Sequence, residues 1–315
     1  MKHVALILTM LMLSACAWDA AQIHNPELRL MFQPDMLMHV ASEGVGNFPE
    51  EQSIGVSAWK LQDGESWNEG AQDAEQYLTL CEACSRKVDI TDMPSHRTVS
   101  DVLWVIDSQP VWPDWDESLT FMAFSPYCAE CRCDCTKGVT YGTDIMQDQT
   151  DLLYTAPMAD RQKLRDGWVV PLHFEHALCE ISFRVKNRVA DNESIKVRSI
   201  SLDGVRHKGS FASLASPQWT LDESKTGLDI FEGEFETGHE PEPIGRTWLM
   251  IPQELETQVS VEYQYTTFAD TYIVQNLKTV ALKTRLEAGK SYVFTLSVGI
   301  DDVKFLTELI EHRMK

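Results

Sequence analysis

Positive charge is scarce in this sequence: its 315 residues carry 27 Lys and Arg against 48 Asp and Glu, a formal net charge of −21 at pH 7. A surface of that sign repels phosphate backbones and anionic headgroups, which excludes nucleic acid as a partner. Long apolar runs are scarce too. After residue 13 no stretch approaches the roughly 20 apolar residues that a spanning helix needs. Low-complexity tracts are absent, and 43% hydrophobic content over this length supports two globular domains. The chain also lacks a nucleophile elbow, a phosphate loop and an acid pair with placed partners. It offers no catalytic residue, no metal centre and no cofactor, so it reads as a non-enzyme.

What is present begins at the N-terminus. Met1-Lys2-His3 is a short cationic segment, and residues 4–13 form an apolar run of about ten, the length of an export signal rather than a span. The run ends in Leu13-Ser14-Ala15-Cys16, which resembles a bacterial lipobox. That resemblance implies removal of residues 1–15 and lipidation of Cys16. Acyl chains contribute about 0.8 kcal/mol per buried CH₂, so such a cysteine would hold the chain on a membrane without a helix. An ordinary secretory cut near Ala15 or Ala17 is the alternative, and either way the chain is exported. Residues 16–26 then form a polar tether.

Strict alternation dominates the remainder. Leu178, Glu180, Ser182, Arg184 and Lys186 alternate with Cys179, Ile181, Phe183 and Val185, a half-buried strand at the junction of two halves. Leu172 and Phe174 form a short extended piece just before it, and Cys179 points into the second core as a small hydrophobe. His173 and His176 are three apart, a spacing that on a strand sends them to opposite faces and not to a shared metal. Residues 27–167 read as a first domain, with strands at 28–32 (stopped by Pro34), 53–59, 77–80, 99–106 and 119–124, and a closing strand and loop at 151–166. Residues 168–300 read as a second, with strands at 195–202, 205–211, 218–221, 248–251, 258–265, 272–282 and 291–298. Asp203-Gly204 reads as a hairpin turn, and the acidic segment 222–245 as a surface loop. Roughly seven short strands with turns every 8–12 residues describe an antiparallel sandwich. Residues 301–315 differ: Val303, Leu306, Ile310 and Met314 recur at helical spacing behind Asp301-Asp302, which predicts a short C-terminal helix.

The sharpest local feature is a cysteine set, Cys81-x-x-Cys84 followed by Cys128-x-x-Cys131-x-Cys133-x-Cys135. Four thiolates from two such pairs suit tetrahedral zinc in a reducing compartment. An exported chain meets oxidants, which favours disulfides among these six. Trp104, Trp112 and Trp115 cluster around Pro113, an arrangement that serves core packing or a sugar platform.

A family resemblance rests on several stretches in order: Phe48-Pro49 with 54–59; Val111-Trp112-Pro113 with 119–126; Asp151-Leu152-Leu153-Tyr154; the junction at 170–185; Trp248-Leu249-Met250-Ile251-Pro252-Gln253; and residues 289–296. Together, over roughly residues 28–300, they resemble fimbrillin-family (Mfa-like) lipoproteins, the subunits of type V pili. The resemblance implies two transthyretin-like β-sandwich domains, a place in the outer membrane or fimbrium, and partnership with other pilus subunits by donor-strand exchange. It also implies an arginine-directed cut shortly after the first strand, which opens a groove for a neighbour's strand. Here Arg29 lies inside that strand, and residues 30–59 contain neither Arg nor Lys. An uncut subunit would end or anchor a fibre, and its surface would meet a host or bacterial receptor. The alternative is a non-polymerising outer-membrane lipoprotein that binds carbohydrate or protein.

Overall fold

The computed structural model of the chain describes residues 29–36, 46–61, 66–67, 73–92, 97–113, 117–128, 130–214, 217–267, 273–306 and 310–314. The expected export signal, Cys16 and the expected tether lie outside the described residues. In chain order the strands of the first half are β1 (Met31–Met36), β2 (Gly46–Asn47), β3 (Ile54–Lys60), β4 (Glu75–Asp92), β5 (Arg97–Ile106), β6 (Leu119–Ser125), β7 (Arg132–Asp134), β8 (Gly138–Asp144), β9 (Leu153–Thr155) and β10 (Met158–Arg161). One helical turn, α1 (Lys163–Asp166), precedes β11 (Val169–His176). The second half contains β12 (Cys179–Asn187), β13 (Ser194–Arg206), β14 (Lys208–Ala212), β15 (Gln218–Leu221), β16 (Lys225–Glu236), β17 (Glu242–Met250), β18 (Glu254–Thr266), β19 (Ile273–Arg285), β20 (Lys290–Val298), β21 (Val303–Phe305) and β22 (Ile310–Arg313). The fold is all-β, as the alternation requires.

The first half is one nine-stranded sheet in the order β10-β6-β3-β4-β5-β1-β11-β9, with β2 on β1. It returns to its start, because β9 also pairs with β6 through Phe124↔Tyr154 and Ser125↔Leu153. Curling a sheet onto itself removes its open edges. Leu30, Phe32, Ile54, Phe121, Leu172 and Phe174 fill the interior, each at most 1% exposed. β11 pairs in parallel with β1 and antiparallel with β9, so Val169–His176 lies in the first sheet even though it follows the charged loop at which the sequence divides.

The second half stacks two sheets. One has the order β17-β12-β20-β21 with β22 also on β20, the other β16-β13-β18-β19. Their facing rows, including Ile181 and Phe183 from one and Val197, Val261 and Tyr263 from the other, share one buried cluster. Two neighbouring pairs, β1 with β11 and β12 with β20, are parallel within this otherwise antiparallel pattern. A further four-stranded sheet, β15-β14-β8-β7, takes two strands from each half.

Several local expectations are corrected. The C-terminal segment is not a helix in its described part: β21 pairs antiparallel with residues 296–298 of β20, and β22 with residues 290–293 of the same strand. The open edge of β20 offers both segments backbone partners at its two ends, and in a marginal tail this outweighs a helical repeat of apolar residues. Asp203-Gly204 is not a hairpin turn. β13 runs through it as a bulge, with Gly204 at φ 67° and a register shift between Leu202 and Val205. Much of the acidic segment 222–245 forms β16, whose Leu228 and Ile230 are buried while its carboxylates face solvent. Pro34 does not stop the first strand. It sits in β1 opposite Leu172, at a point where β1 pairs with neither β5 nor β2 on its other side, so its missing N–H leaves no ladder bond unmade.

Candidate functional site

Three places carry the features that the sequence singled out: the seat of the first strand, the C-terminal tail, and the cysteine-rich junction. β1 is held on both edges, by Met31↔Val105 and Phe32↔Trp104 toward β5, and by six successive pairs toward β11. Phe32 is fully buried and packs edge to face on Phe121. Asp35 Oδ1 lies 2.5 Å from His173 Nδ1 on the neighbouring strand. Arg29, expected inside the first strand, instead stands two residues before β1, in an isolated bridge. Its backbone bridges to Val111, its Nη1 donates to the Gln109 carbonyl over 2.5 Å, and the next N–H, of Leu30, donates to the Pro110 carbonyl over 2.9 Å. Leu30 is 1% exposed. The Arg29–Leu30 peptide bond is thus tied into the fold on both sides.

The tail is self-contained. Asp302 pairs with Arg188 and, over 2.8 Å, with Lys304. The hydrogen bonds from both cations outweigh the effect of burial and hold the Asp302 carboxyl below its usual range. Beyond β22 the Met314 N–H donates to the Gly289 carbonyl over 3.1 Å, so the described end of the chain lies along its own sheet.

At the junction, Cys128 and Cys131 form a disulfide, and Cys131 is fully buried. Cys133 and Cys135 are free thiols in the same cluster, beside Trp59, Phe124, Tyr154 and Phe211. Burial pushes the Cys133 thiol up to about 12, against a smaller opposing effect of a hydrogen bond with Ser57. Cys81, also free, sits on β4 opposite Val56 and packs on the interior of the first sheet, away from that cluster. Cys84 is opposite Val105, and its odd separation from Cys81 puts the two on opposite faces of β4. Among the described residues no group of three or more His, Cys, Asp or Glu is placed to hold a metal ion. Cys179, buried in the second core, is a free thiol raised by burial.

The junction is built by residues with no local signature. β8 pairs with β14 over five residues, and Ser213 Oγ accepts the Val139 N–H over 2.8 Å. Gln149 imitates a strand partner: its Oε1 accepts the Leu249 N–H over 2.8 Å and its Nε2 donates to the Leu249 carbonyl over 3.2 Å. Asp144 ends β8 and reaches His207 Nδ1 over 2.8 Å and Lys208 Nζ over 3.2 Å. Phe211 packs at a tilt between Tyr154 and Trp219, whose Nε1 donates to the Ala177 carbonyl. Beside these contacts lies an open cleft of about 370 Å³, lined by Glu130, Tyr141, Asp144, Asp148 and Asp151 among others. Sequence reasoning named neither Asp144, Gln149 nor Ser213, because each acts on a partner some 63 to 100 residues away. Trp104 and Trp112 are buried and donate to the carbonyls of Gln52 and Trp168, so neither ring is a platform; Trp115 lies outside the described residues.

The fold has solved relatives. A fimbrial protein from Bacteroides vulgatus superposes at a TM-score of 0.62 with 15% identity, over 91% of this chain and 99% of that one. Proposed cell adhesion proteins from Bacteroides ovatus and Bacteroides uniformis give 0.55 and 0.54 at 14% and 13% identity, covering 91% and 92% of this chain and 98% and 99% of theirs. Curated proteins give no match. Sequence profiles give a direct one, since the fimbrillin-like family matches residues 45–311, most of the chain, from just before β2 into β22. The chain belongs to the fimbrillin-like family.

Proposed function

We propose that this chain is a structural fimbrial subunit of the cell surface, held at the outer membrane through a lipidated Cys16, that ends or anchors a fibre rather than extending it. It contributes to adhesion and works without catalysis. The observation that carries this reading is the seat of β1, which is paired on both edges inside a closed sheet and preceded by an arginine whose scissile bond is hydrogen-bonded into the fold. The tail supports it as well, because β22 occupies its own β20 edge instead of standing free as a donor. In this reading the partner is a neighbouring pilus subunit that inserts its strand elsewhere in the assembly, together with the membrane and a surface receptor.

Electron microscopy of the purified mature chain, with and without an arginine-specific protease, tests the terminating role. Short or absent fibres under both conditions are expected; protease-dependent polymerisation would overturn it. Cys16→Ala tests the anchor separately, since release of the variant from membranes is expected and its retention would remove the lipoprotein assignment.

A further inference from the structure

The second body leaves one strand edge open. β19 pairs with β18 over thirteen residues without a register shift, and among the described residues no strand pairs with its other side. Long regular edges are usually blunted by bulges, proline or charge. The opposite edge of the same sheet follows that rule: β16 is broken by three register shifts and carries Asp229, Glu232, Glu234 and Glu236. β19 contains neither proline nor glycine. Its Lys283 and Arg285 are paired with Glu256 and Glu254 of β18 at one end, which leaves Lys278 as the sole charged residue of 273–281. Ile273 and Leu277, 57% and 67% exposed, are the most exposed large hydrophobic residues described.

The polarity of this segment reads alike in both directions. Residues 273–281 are Ile-Val-Gln-Asn-Leu-Lys-Thr-Val-Ala, centred on Leu277. Laid antiparallel on a second copy with Leu277 facing Leu277, Ile273 meets Ala281, Val274 meets Val280, Gln275 meets Thr279 and Asn276 meets Lys278. Apolar side chains meet apolar ones on both faces of the ribbon, and the lone cation meets an amide. A register slip of one residue would place Leu277 against a lysine or an asparagine. We propose that β19 is a self-association edge, on which two copies of this chain pair antiparallel about a two-fold axis through Leu277 and join two four-stranded sheets into one of eight. The contact is isologous and closes at two copies, so it cross-connects subunits or fibres and does not lengthen them. It rests on the edge alone and goes beyond the fimbrial reading.

Sedimentation of the purified chain tests it across concentration and salt. A monomer–dimer equilibrium is expected that tightens as salt screens the repulsion between two acidic copies. Leu277→Lys, which sets like charges face to face in an exposed position, should weaken it about tenfold or more with an unchanged circular dichroism spectrum. Register is read by oxidative cross-linking with mass mapping. Leu277→Cys should cross-link to itself, while Ile273→Cys should cross-link to Ala281→Cys in preference to its own kind, because facing Cβ atoms lie within about 5.5 Å. A chain that stays monomeric at every concentration, a dimer indifferent to Leu277→Lys, a cross-link pattern without that preference, or an edge found occupied by a different protein would each overturn the proposal.

Discussion

Phe32 of β1 and Phe121 of β6 meet edge to face across the interior of the first sheet, with ring centroids 5.8 Å apart and planes at 74°. The first strand is thereby fixed by packing as well as by its ladders, and both rings are fully buried. Phe32→Ala should lower unfolding free energy by about 3–5 kcal/mol, the range for a large aromatic removed from a rigid core. Gln33→Ala, next in sequence but facing solvent, should stay within about 0.5 kcal/mol. Urea unfolding of the two variants makes the comparison.

Asp144 carries the pH prediction. Burial alone would raise its carboxyl, but hydrogen bonds from His207, the Met146 N–H and Lys208 outweigh that and hold it below the usual carboxylate range. A carboxyl depressed in the folded state contributes stability above its unfolded pKa, about 3.9, and loses it as pH falls through the lower folded value. Asp144→Asn should therefore cost about 1.5–3 kcal/mol at pH 7, the worth of hydrogen bonds to a charged group. Variant and parent should converge in chemical denaturation as pH drops below the unfolded value and through the lower folded one. A deficit that stayed constant through that range would mean the bridge is held by packing alone.

Thiol chemistry follows burial. Cys133 and Cys135 are both half-buried, but burial pushes the Cys133 thiol up to about 12, and Cys179 is fully enclosed. Since the thiolate is the reactive form, alkylation of the native chain should label Cys135 first, Cys81 more slowly, and Cys133 and Cys179 only on unfolding. Cys128 and Cys131 should remain unlabelled until reduced, and elemental analysis should find no stoichiometric zinc. Equal labelling of Cys133 and Cys135, or one zinc per chain, would contradict the junction described here.

Much of the fold was legible because a sheet with one buried face writes its period into the sequence. The alternation at Cys179–Asn187 reappears as strictly alternating burial, and that of Val259 to Tyr265 likewise. What was missed has common causes. Asp-Gly signals a hairpin, yet the left-handed glycine it supplies serves a bulge equally well, as at Gly204. Glutamates disguised β16 because an edge strand needs apolar residues on one face only. The closing contact of β9 with β6 and the shared sheet of β8 with β14 are long-range pairings without any local pattern. Of the candidate site, the cysteines and Arg29 could be named from spacing and residue type. Their environments could not, since whether Arg29 is accessible depends on Gln109 and Pro110, eighty residues on.

The last prediction concerns that arginine. A protease must take several residues of extended chain into its cleft, and here the leaving N–H of Leu30 is donated to Pro110, Leu30 is buried, and the Arg29 guanidinium is held by Gln109. Cutting after Arg29 then requires local opening of the β1 seat, where Leu30, Met31 and Phe32 each contribute about 1.5–3 kcal/mol of burial. Arg165 differs in exposure: its side chain is 58% exposed on a single helical turn in the charged loop before β11, and the bonds that hold it, from its guanidinium to Asp166 and from the Asp166 N–H to the Gln162 carbonyl, stay within that loop. An arginine-specific protease should therefore cut the native chain after Arg165 well before Arg29, and Phe32→Ala should bring the Arg29 cut forward. N-terminal sequencing of timed digests reads both. A mature terminus at Leu30 appearing first in the unaltered chain would show that β1 leaves readily, and that the subunit is built to receive a strand.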